Sequence, residues 1–360
     1  MGKITSFLTR TRGNSETADK FGIADLMAYG YLLLGVLIIL VPVFWTVLSS
    51  IKPERAIDNF DTRLLPISQV EDDIKGVGVK PIWEHTAEDG RVTTVYKAGP
   101  TRKITDVAPV SDPYAVIQVE RKRLQPSEEL RIATENYLDP LLKRNGQENF
   151  HFLTYLFNSV FVTVAATLIT LLINAMAAFA LSKYQFRGRL TFTLLIVATL
   201  LIPSSIILVS LFFVVWTFGI FGSLWGVIIP AAATPTGVFL LRQYMLTIPD
   251  ELLEAARMDA ATEWRIFWRI IIPLSLPALS VLAILSVIWR WNDFLWPLIV
   301  LISEPTKHTI QLGLTQYSGE FDQDFHYILA MTVVSLIPIT LVFVWLQRFI
   351  TTGIATTGLK

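Results

Sequence analysis

The sequence predicts an all-α polytopic membrane protein. Six transmembrane helices are expected, with a small β-containing extracytoplasmic insertion between the first and the second. Three observations carry this. Apolar residues make up 52% of the 360, mean hydropathy is +0.52, and charged residues are only 17%, against about 25% in an average soluble domain. More than half of the 60 charges, 15 basic and 17 acidic, lie between Lys52 and Glu148, which leaves long charge-free runs elsewhere. The cations that remain are distributed unevenly about those runs.

The runs are Leu26 to Ile51, Phe152 to Ser182, Leu190 to Leu241, Ile270 to Trp289 (continuing past Arg290 and Asp293 to Ser303), and Tyr327 to Gln347. A bilayer core takes roughly 20 apolar residues per helix. The third run is about twice that length, so it must turn back on itself, and Phe218-Gly219-Ile220-Phe221-Gly222-Ser223 is the turn. Six spans follow, at about 26–50, 155–182, 191–216, 224–242, 276–302 and 327–348. The first apolar run is too long for a signal-peptide h-region of about 7–15 residues and has no small-x-small site after it, so it reads as a retained span.

Orientation follows from the cations. Lys3, Arg10, Arg12 and Lys20 precede span one, and Lys183, Arg187 and Arg189 follow span two. Arg242, Arg257, Arg265 and Arg269 follow span four, and Arg348 and Lys360 follow span six. The short loops on the opposite side hold only Lys307. The positive-inside rule places both termini and the 243–275 loop in the cytoplasm and the 52–150 segment outside. The divisions are a tail at 1–25, span one at 26–51, the insertion at 52–150, a core at 151–348 and a tail at 349–360.

Within the insertion, Pro81 to Ala87 and Arg91 to Ala98 flank Asp89-Gly90, a hairpin signal. Lys103 to Val110 and Ala115 to Val119 read as further strands. Ser127 to Lys143 reads as a helix, with Ser127 as N-cap and Glu128 and Glu129 in its first turn.

Several function classes are excluded. The balanced charge of 30 Lys+Arg and 30 Asp+Glu offers no basic excess for nucleic acid. With no cysteine, disulfides, thiol catalysis and cysteine-ligated metals are ruled out. Gly2-Lys3 is not part of a phosphate-binding loop. His85, His151, His308 and His326 lack ligand spacing, so no metal site is expected. No catalytic constellation stands out, and Ser204-Ser205 after Pro203 reads as relief of a helix kink.

The informative stretch runs from Ile248 to Pro273. Pro249 suits a first helical position, and Asp250, Glu251 and Glu254 suit the positive end of a helix. Thr262 can cap a second helix in which Trp264, Phe267, Trp268 and Ile271 recur as one apolar stripe. That stripe is expected to pack inward, leaving the Glu254 to Ala260 turn as an exposed tip where Ala255 and Ala256 permit close backbone approach. The alternative is a helical hairpin lying on lipid.

At these residues the chain resembles the permease subunits of binding-protein-dependent ABC importers. Their cytoplasmic signature is Glu-Ala-Ala, three residues, Gly, nine residues, Ile-x-Leu-Pro. Here Glu254-Ala255-Ala256 is followed at those spacings by Ala260 and by Ile270-Ile271-Ile272-Pro273. Alanine in place of glycine weighs against a left-handed turn, because its Cβ disfavours positive φ. The likeness extends to the sugar-importer branch, in particular the smaller of two paired permeases, as in the maltose system. Phe152 to Ser159, Trp291-Asn292-Asp293-Phe294-Leu295-Trp296-Pro297-Leu298 and Gln347-Arg348-Phe349 carry it. The resemblance covers about 26–51 and 150–360, and leaves the insertion unaccounted for.

The resemblance implies the type I ABC importer fold in a bacterial inner membrane. It implies a second permease, two ATPase subunits that hold ATP and Mg, an external solute-binding protein, and no cofactor or catalysis in this chain. It also implies that the loop carrying Glu254, Ala255, Ala256, Asp259, Ala260, Ile270 and Pro273 is the ATPase-coupling element. Trp289, Trp291, Asn292 and Asp293 interrupt an apolar span near mid-depth and are the candidate solute path, an Arg290–Asp293 pair being the packing alternative. An ion-coupled secondary transporter would show related halves and more ionisable groups at depth. A membrane-embedded enzyme would show a catalytic constellation. Neither pattern is evident.

Overall fold

The computed structural model describes residues 23–58, 63–87, 90–101, 103–142, 152–318 and 324–357. Two compact units divide at Leu48. The first unit consists of helix α1 (Ile23–Ser50), which ends just past that boundary. Apolar side chains from Leu26 to Val47 are exposed all round it, as a helix solvated by lipid requires. Pro42 removes one rung of its ladder, and Thr46 Oγ1 donates to the Pro42 carbonyl at 2.9 Å.

The second unit begins with a short helix, α2 (Glu54–Asp58), and then a sheet. Strands β1 (Ile67–Gln69), β2 (Glu71–Ile74), β3 (Gly78–Thr86), β4 (Val92–Lys97), β5 (Ile104–Pro109), β6 (Ile117–Glu120), β7 (Leu124–Pro126) and β8 (Glu128–Leu130) follow in chain order. The main antiparallel sheet runs β2-β3-β4-β5-β6, with β7 also on β3, while β1 and β8 form a separate pair. The two-residue period of a strand gives this sheet a core on each face. Ile74, Ile82, Tyr96 and Ala108 cluster on one side, and Val95, Val107, Val119 and Leu124 with Trp83 on the other. The β3–β4 turn closes with Ala87 N donating to Arg91 O at 2.9 Å and with Gly90 at φ +80°. Asp89 of the hairpin signal lies outside the described residues.

The helix expected from Ser127 forms only at α3 (Glu135–Leu142). Residues 128–130 are the strand β8, in register with Gln69, Ser68 and Ile67. Ser127 caps no helix. Its N–H donates to Ile82 O at 3.1 Å, its carbonyl accepts Val70 N at 2.8 Å, and Arg63 pairs with Glu128 at 2.6 Å. Tertiary pairing overrides the local capping signal here.

The remaining helices are α4 (Phe152–Lys183), α5 (Arg189–Thr199), α6 (Ser204–Thr217), α7 (Leu224–Ile228), α8 (Pro235–Met245), α9 (Glu251–Met258), α10 (Glu263–Leu274), α11 (Leu276–Trp291), α12 (Leu295–Leu301), α13 (Ile310–Thr315) and α14 (Phe325–Thr357). Among the described residues, α1, α4 and α14 are long and apolar enough to cross a bilayer unbroken, and α10 and α11 form a pair bent by 76°.

The other expected spans are interrupted. Span 191–216 breaks at Leu200 to Pro203, where proline ends the ladder. Span 224–242 breaks at 229–234, between Pro230 and Pro235, and span 276–302 breaks at Asn292 to Phe294. The turn expected at 218–223 is present, and Ser223 Oγ caps α7 by accepting Gly226 N at 3.2 Å. Helix α4 is central. It contributes Ala175, Ala178 and Phe179 to one apolar cluster, Val162 and Ala166 to a second, and Phe152 and Tyr155 to a third.

Candidate functional site

Helices α9 and α10 form a compact hairpin. Helix α9 starts at Glu251, so Pro249 precedes it rather than opening it. Asp250 does not cap α9 with its side chain. Its carboxylate accepts the Lys183 ammonium at 2.6 Å, on a lysine side chain only 2% exposed at the end of α4.

The turn at the end of α9 is left-handed after all. Ala260 has φ +54° and is the one non-glycine residue with positive φ among the described residues. Ala260 N donates to Arg257 O at 3.0 Å and Ala261 N to Ala256 O at 3.0 Å. These are the two bonds of a Schellman motif, which satisfies the last carbonyls of a helix when the residue after the cap turns left-handed. Alanine there costs about 1–2 kcal/mol of steric strain, and the two captured carbonyls offset it. Thr262 then caps α10, its Oγ1 accepting Arg265 N at 3.3 Å.

A clamp closes the hairpin. Arg257 Nε and Nη2 donate to the two Glu263 oxygens at 2.8 and 3.3 Å, and the Tyr184 hydroxyl donates to Glu263 Oε2. The Arg257 and Tyr184 hydrogen bonds hold the Glu263 carboxyl below the usual carboxylate range. Partial burial, and then the hydrogen bond to Glu263 and its charge, push the Tyr184 hydroxyl up to about 12. The sequence reading missed this clamp, because Arg257 and Glu263 are six apart and meet only across a turn whose handedness was not expected.

The inner face of the hairpin is apolar. Leu253, Ile266, Phe267 and Ile271 are buried against Phe179, Met245 and Leu279, with Ala256, Ala261 and Ile270 packed beside them. The expected aromatic stripe splits. Phe267 and Ile271 are buried, but Trp264 is 60% exposed and Trp268 43%. A π-helical turn runs over Phe267–Ile271, and the two indoles pack on the Phe267 ring from its exposed side. The expected exposed tip is likewise divided. Glu254, Ala255, Asp259 and Ala260 are exposed, whereas Ala256 is half-buried and faces inward. Leu252 and Met258, at 45% and 87% exposure, extend an apolar edge beside Ala255. Pro273 is exposed on the last turn of α10, just before the bend at Ser275.

The residues at 289–293 do not share one environment. Trp291 is buried, and its Nε1 donates to Ser335 O at 3.0 Å, which places the indole in the packing against α14. Trp289 is 46% exposed. Asn292 is exposed, with Nδ2 donating to Ile288 O at 2.8 Å. Asp293 Oδ1 accepts Trp296 N at 3.4 Å at the start of α12.

Arg290 does not ion-pair with Asp293 among the described residues. Its guanidinium donates to Ser286 Oγ at 2.6 Å, Thr170 Oγ1 at 2.7 Å and the carbonyl of Ala231 at 2.6 Å. Ala231 lies in the break between α7 and α8. Asn174 holds the far end of the same break, accepting Thr234 N at 3.1 Å and donating to Thr234 Oγ1 at 2.8 Å. A Cβ at Gly237 would collide with the Asn174 amide. Asn174 and Thr170 on one helix, four residues apart, were the sequence signal for this latch.

Residues 173–356, which include the whole hairpin, match the family described as binding-protein-dependent transport system inner membrane component. The chain belongs to that family. Among relatives of this permease, the arabinooligosaccharides transport system permease protein AraQ of Halalkalibacterium halodurans is 37% identical over 207 residues, 58% of this chain and 74% of the relative. AraQ of Bacillus subtilis is 32% identical over 246 residues, 66% of this chain and 86% of the relative. The sn-glycerol-3-phosphate transport system permease protein UgpE of Yersinia enterocolitica is 32% identical, covering 58% of this chain and 75% of the relative. A chain from a bacterial ABC transporter that imports the acidic polysaccharide alginate has the same fold, with a TM-score of 0.62 at 22% identity, covering 94% of this permease and 99% of that chain.

Proposed function

We propose that this permease pairs with a second permease in a bacterial inner membrane to form the path for a sugar or related solute. Delivery is by an extracytoplasmic binding protein, and two ATPase subunits drive transport, holding the ATP and Mg. This chain contributes no catalysis and no cofactor. It crosses the bilayer six times, with α5–α6, α7–α8 and α11–α12 as interrupted crossings, so that both termini and the 243–275 loop are cytoplasmic. The sheet of the 52–150 insertion is then external, where it meets the partner permease or the binding protein. Trp289, Asn292 and Asp293 line the solute path, with Trp291 anchoring it.

The observation that carries the coupling role is the α9–α10 hairpin. It is fixed internally by a Schellman turn and an ion-pair clamp, is fastened to α4 through Lys183, and is left with an exposed edge at Leu252, Ala255 and Met258. A rigid body of this kind transmits displacement to the helices that it is packed against. The test is Glu254→Lys and Ala255→Trp in the assembled importer. Insertion and pairing should persist while binding-protein-stimulated ATP hydrolysis and uptake both collapse. Normal uptake by both variants at normal expression would sink the assignment.

A further inference from the structure

The four histidines have no ligand spacing in sequence, yet the fold brings one of them to two carboxylates. Glu54 stands in α2, Asp324 immediately before α14, and His326 in the first turn of α14. One ligand atom from each lies within 4.8 Å of the other two. His326 is 6% exposed, and its ring lies against Tyr327, tilted by 46° with centroids 4.0 Å apart. Among the described residues the His326 imidazole has no hydrogen-bond partner. Glu54 and His326 open onto a polar cavity of about 770 Å³ between the sheet, α3 and α14.

We propose that Glu54, Asp324 and His326 bind a dication of the zinc class. The His326 imidazole has no protein partner among the described residues and faces two anions at the rim of the polar cavity, although polar groups of a buried side chain are ordinarily satisfied. A bland reading covers Asp324, whose carboxylate suits the positive end of α14. It leaves the solitary imidazole and the approach of Glu54 unexplained. One imidazole and two carboxylates form a mixed N/O donor set that suits Zn²⁺. Ca²⁺ prefers six to eight oxygens and Mg²⁺ an octahedron of them. In a tetrahedral zinc site ligand atoms are about 3.4 Å apart, so binding needs an inward movement of roughly 1 Å, which the exposed Glu54 can supply. Water from the cavity completes the fourth position.

The consequence is mechanical. On α2, Glu54 points to α14, while its neighbour Arg55 ion-pairs with Glu71 of β2. A metal at Glu54 therefore fastens this short helix to the first turn of α14, and through Arg55 it steadies the edge of the sheet. Tyr327, beside the site, is hydrogen-bonded to Asp139 of α3, so α3 joins the same junction.

The experiment uses the full-length permease purified in its transporter complex, stripped with EDTA and titrated with Co²⁺ and then Zn²⁺. Co²⁺ should give visible d–d absorption that stoichiometric Zn²⁺ abolishes and Ca²⁺ does not. Mass spectrometry should find one extra zinc per complex relative to the His326→Gln complex. Glu54→Gln and His326→Gln should each weaken Zn²⁺ binding at least about tenfold, the size that outer-shell losses alone produce. Glu54 is exposed, so its variant keeps the test alive if His326→Gln fails to fold. No Co²⁺ spectrum in the wild type, or zinc binding unchanged in Glu54→Gln, would overturn the site. The readout is metal binding, so it stands or falls independently of uptake and of the coupling assignment.

Discussion

The α9–α10 turn and the α7–α8 break are both interruptions of helix, and they solve the same problem in opposite ways. At Ala260 the chain reverses in an exposed hairpin and satisfies its freed carbonyls with its own next two N–H groups. At 229–234 the break is half-buried among apolar helices, and in the six-span arrangement proposed above water would not reach its unpaired backbone groups. There the partners come from elsewhere: Arg290 from α11 for the Ala231 carbonyl, and Asn174 from α4 for Thr234. Exposed interruptions can be closed by local geometry at a small strain. Those packed among apolar helices take their partners from polar side chains on those helices. A permease that moves therefore has one stiff joint on its surface and one joint inside whose stiffness depends on two other helices, α4 and α11.

The largest expected effect breaks the inner joint. Arg290→Met removes the guanidinium from the Ala231 carbonyl, which keeps only the Thr170 hydroxyl at 3.3 Å, and removes the bonds to Thr170 and Ser286. Each buried group left unpaired costs about 1–3 kcal/mol. Arg290→Lys keeps the charge but cannot reproduce a planar fork that reaches three acceptors. Both variants should lower thermal stability in nanodiscs and uptake, methionine more than lysine. A methionine variant as stable as the wild type would mean that the desolvation cost of the arginine cancels its bonds, and the break would then be held by Asn174 and Thr170 of α4.

Two substitutions separate strain from packing at the outer joint. Ala256→Trp drives an indole into the cluster of Phe179, Met245 and Ile266, and overpacking of that kind costs about 1–3 kcal/mol. Ala260→Gly removes the Cβ from a left-handed position and should raise stability by roughly 1 kcal/mol, less the entropy that glycine adds to the unfolded chain. Thermal unfolding of the two variants should therefore move in opposite directions. Loss of stability in Ala260→Gly would show that the turn is held open by its surroundings and not by its own dihedral.

What the sequence discloses differs between the two joints. The Glu254 to Pro273 spacing, the Thr262 cap and the family resemblance all identify the hairpin. Yet alanine at 260 argued for the wrong handedness, because single-residue preference does not count the two carbonyls that the turn satisfies. Helical periodicity likewise placed Trp264 and Trp268 with Phe267, which both touch, but could not show that the two indoles stay at the exposed rim of the cluster. Ser127 looked like a helix cap because a strand partner sixty residues earlier, Ile67 to Gln69, is invisible to local reading. At the inner joint, Arg290 was legible as a costly charge at depth, but two of its acceptors lie 59 and 120 residues away, in the α7–α8 break and on α4. Asp293, three residues from Arg290, drew the pairing that the guanidinium gives to two hydroxyls and a carbonyl instead.

The smallest expected effect sharpens the comparison by weakening the outer joint without breaking it. The Arg257–Glu263 pair is partly solvent-exposed on both sides, and exposed pairs contribute about 0.2–1 kcal/mol. Because the Glu263 carboxyl is held below its ordinary value by Arg257 and Tyr184, its contribution is present above the unfolded carboxylate pKa of about 4.3. It is lost as pH falls through the folded value. Glu263→Gln should remove that acid-side dependence and leave stability near pH 7 lowered by a few tenths to about 1 kcal/mol. The Tyr184 hydroxyl, raised to about 12, should return toward 10 in the same variant, read from phenolate absorbance in alkaline titration. The burial that is the larger cause remains, so the return should be partial. The Schellman turn does not depend on the clamp, so uptake should fall less in Glu263→Gln than in Ala256→Trp. Equal losses would place the rigidity of the hairpin in its side-chain clamp and not in its backbone.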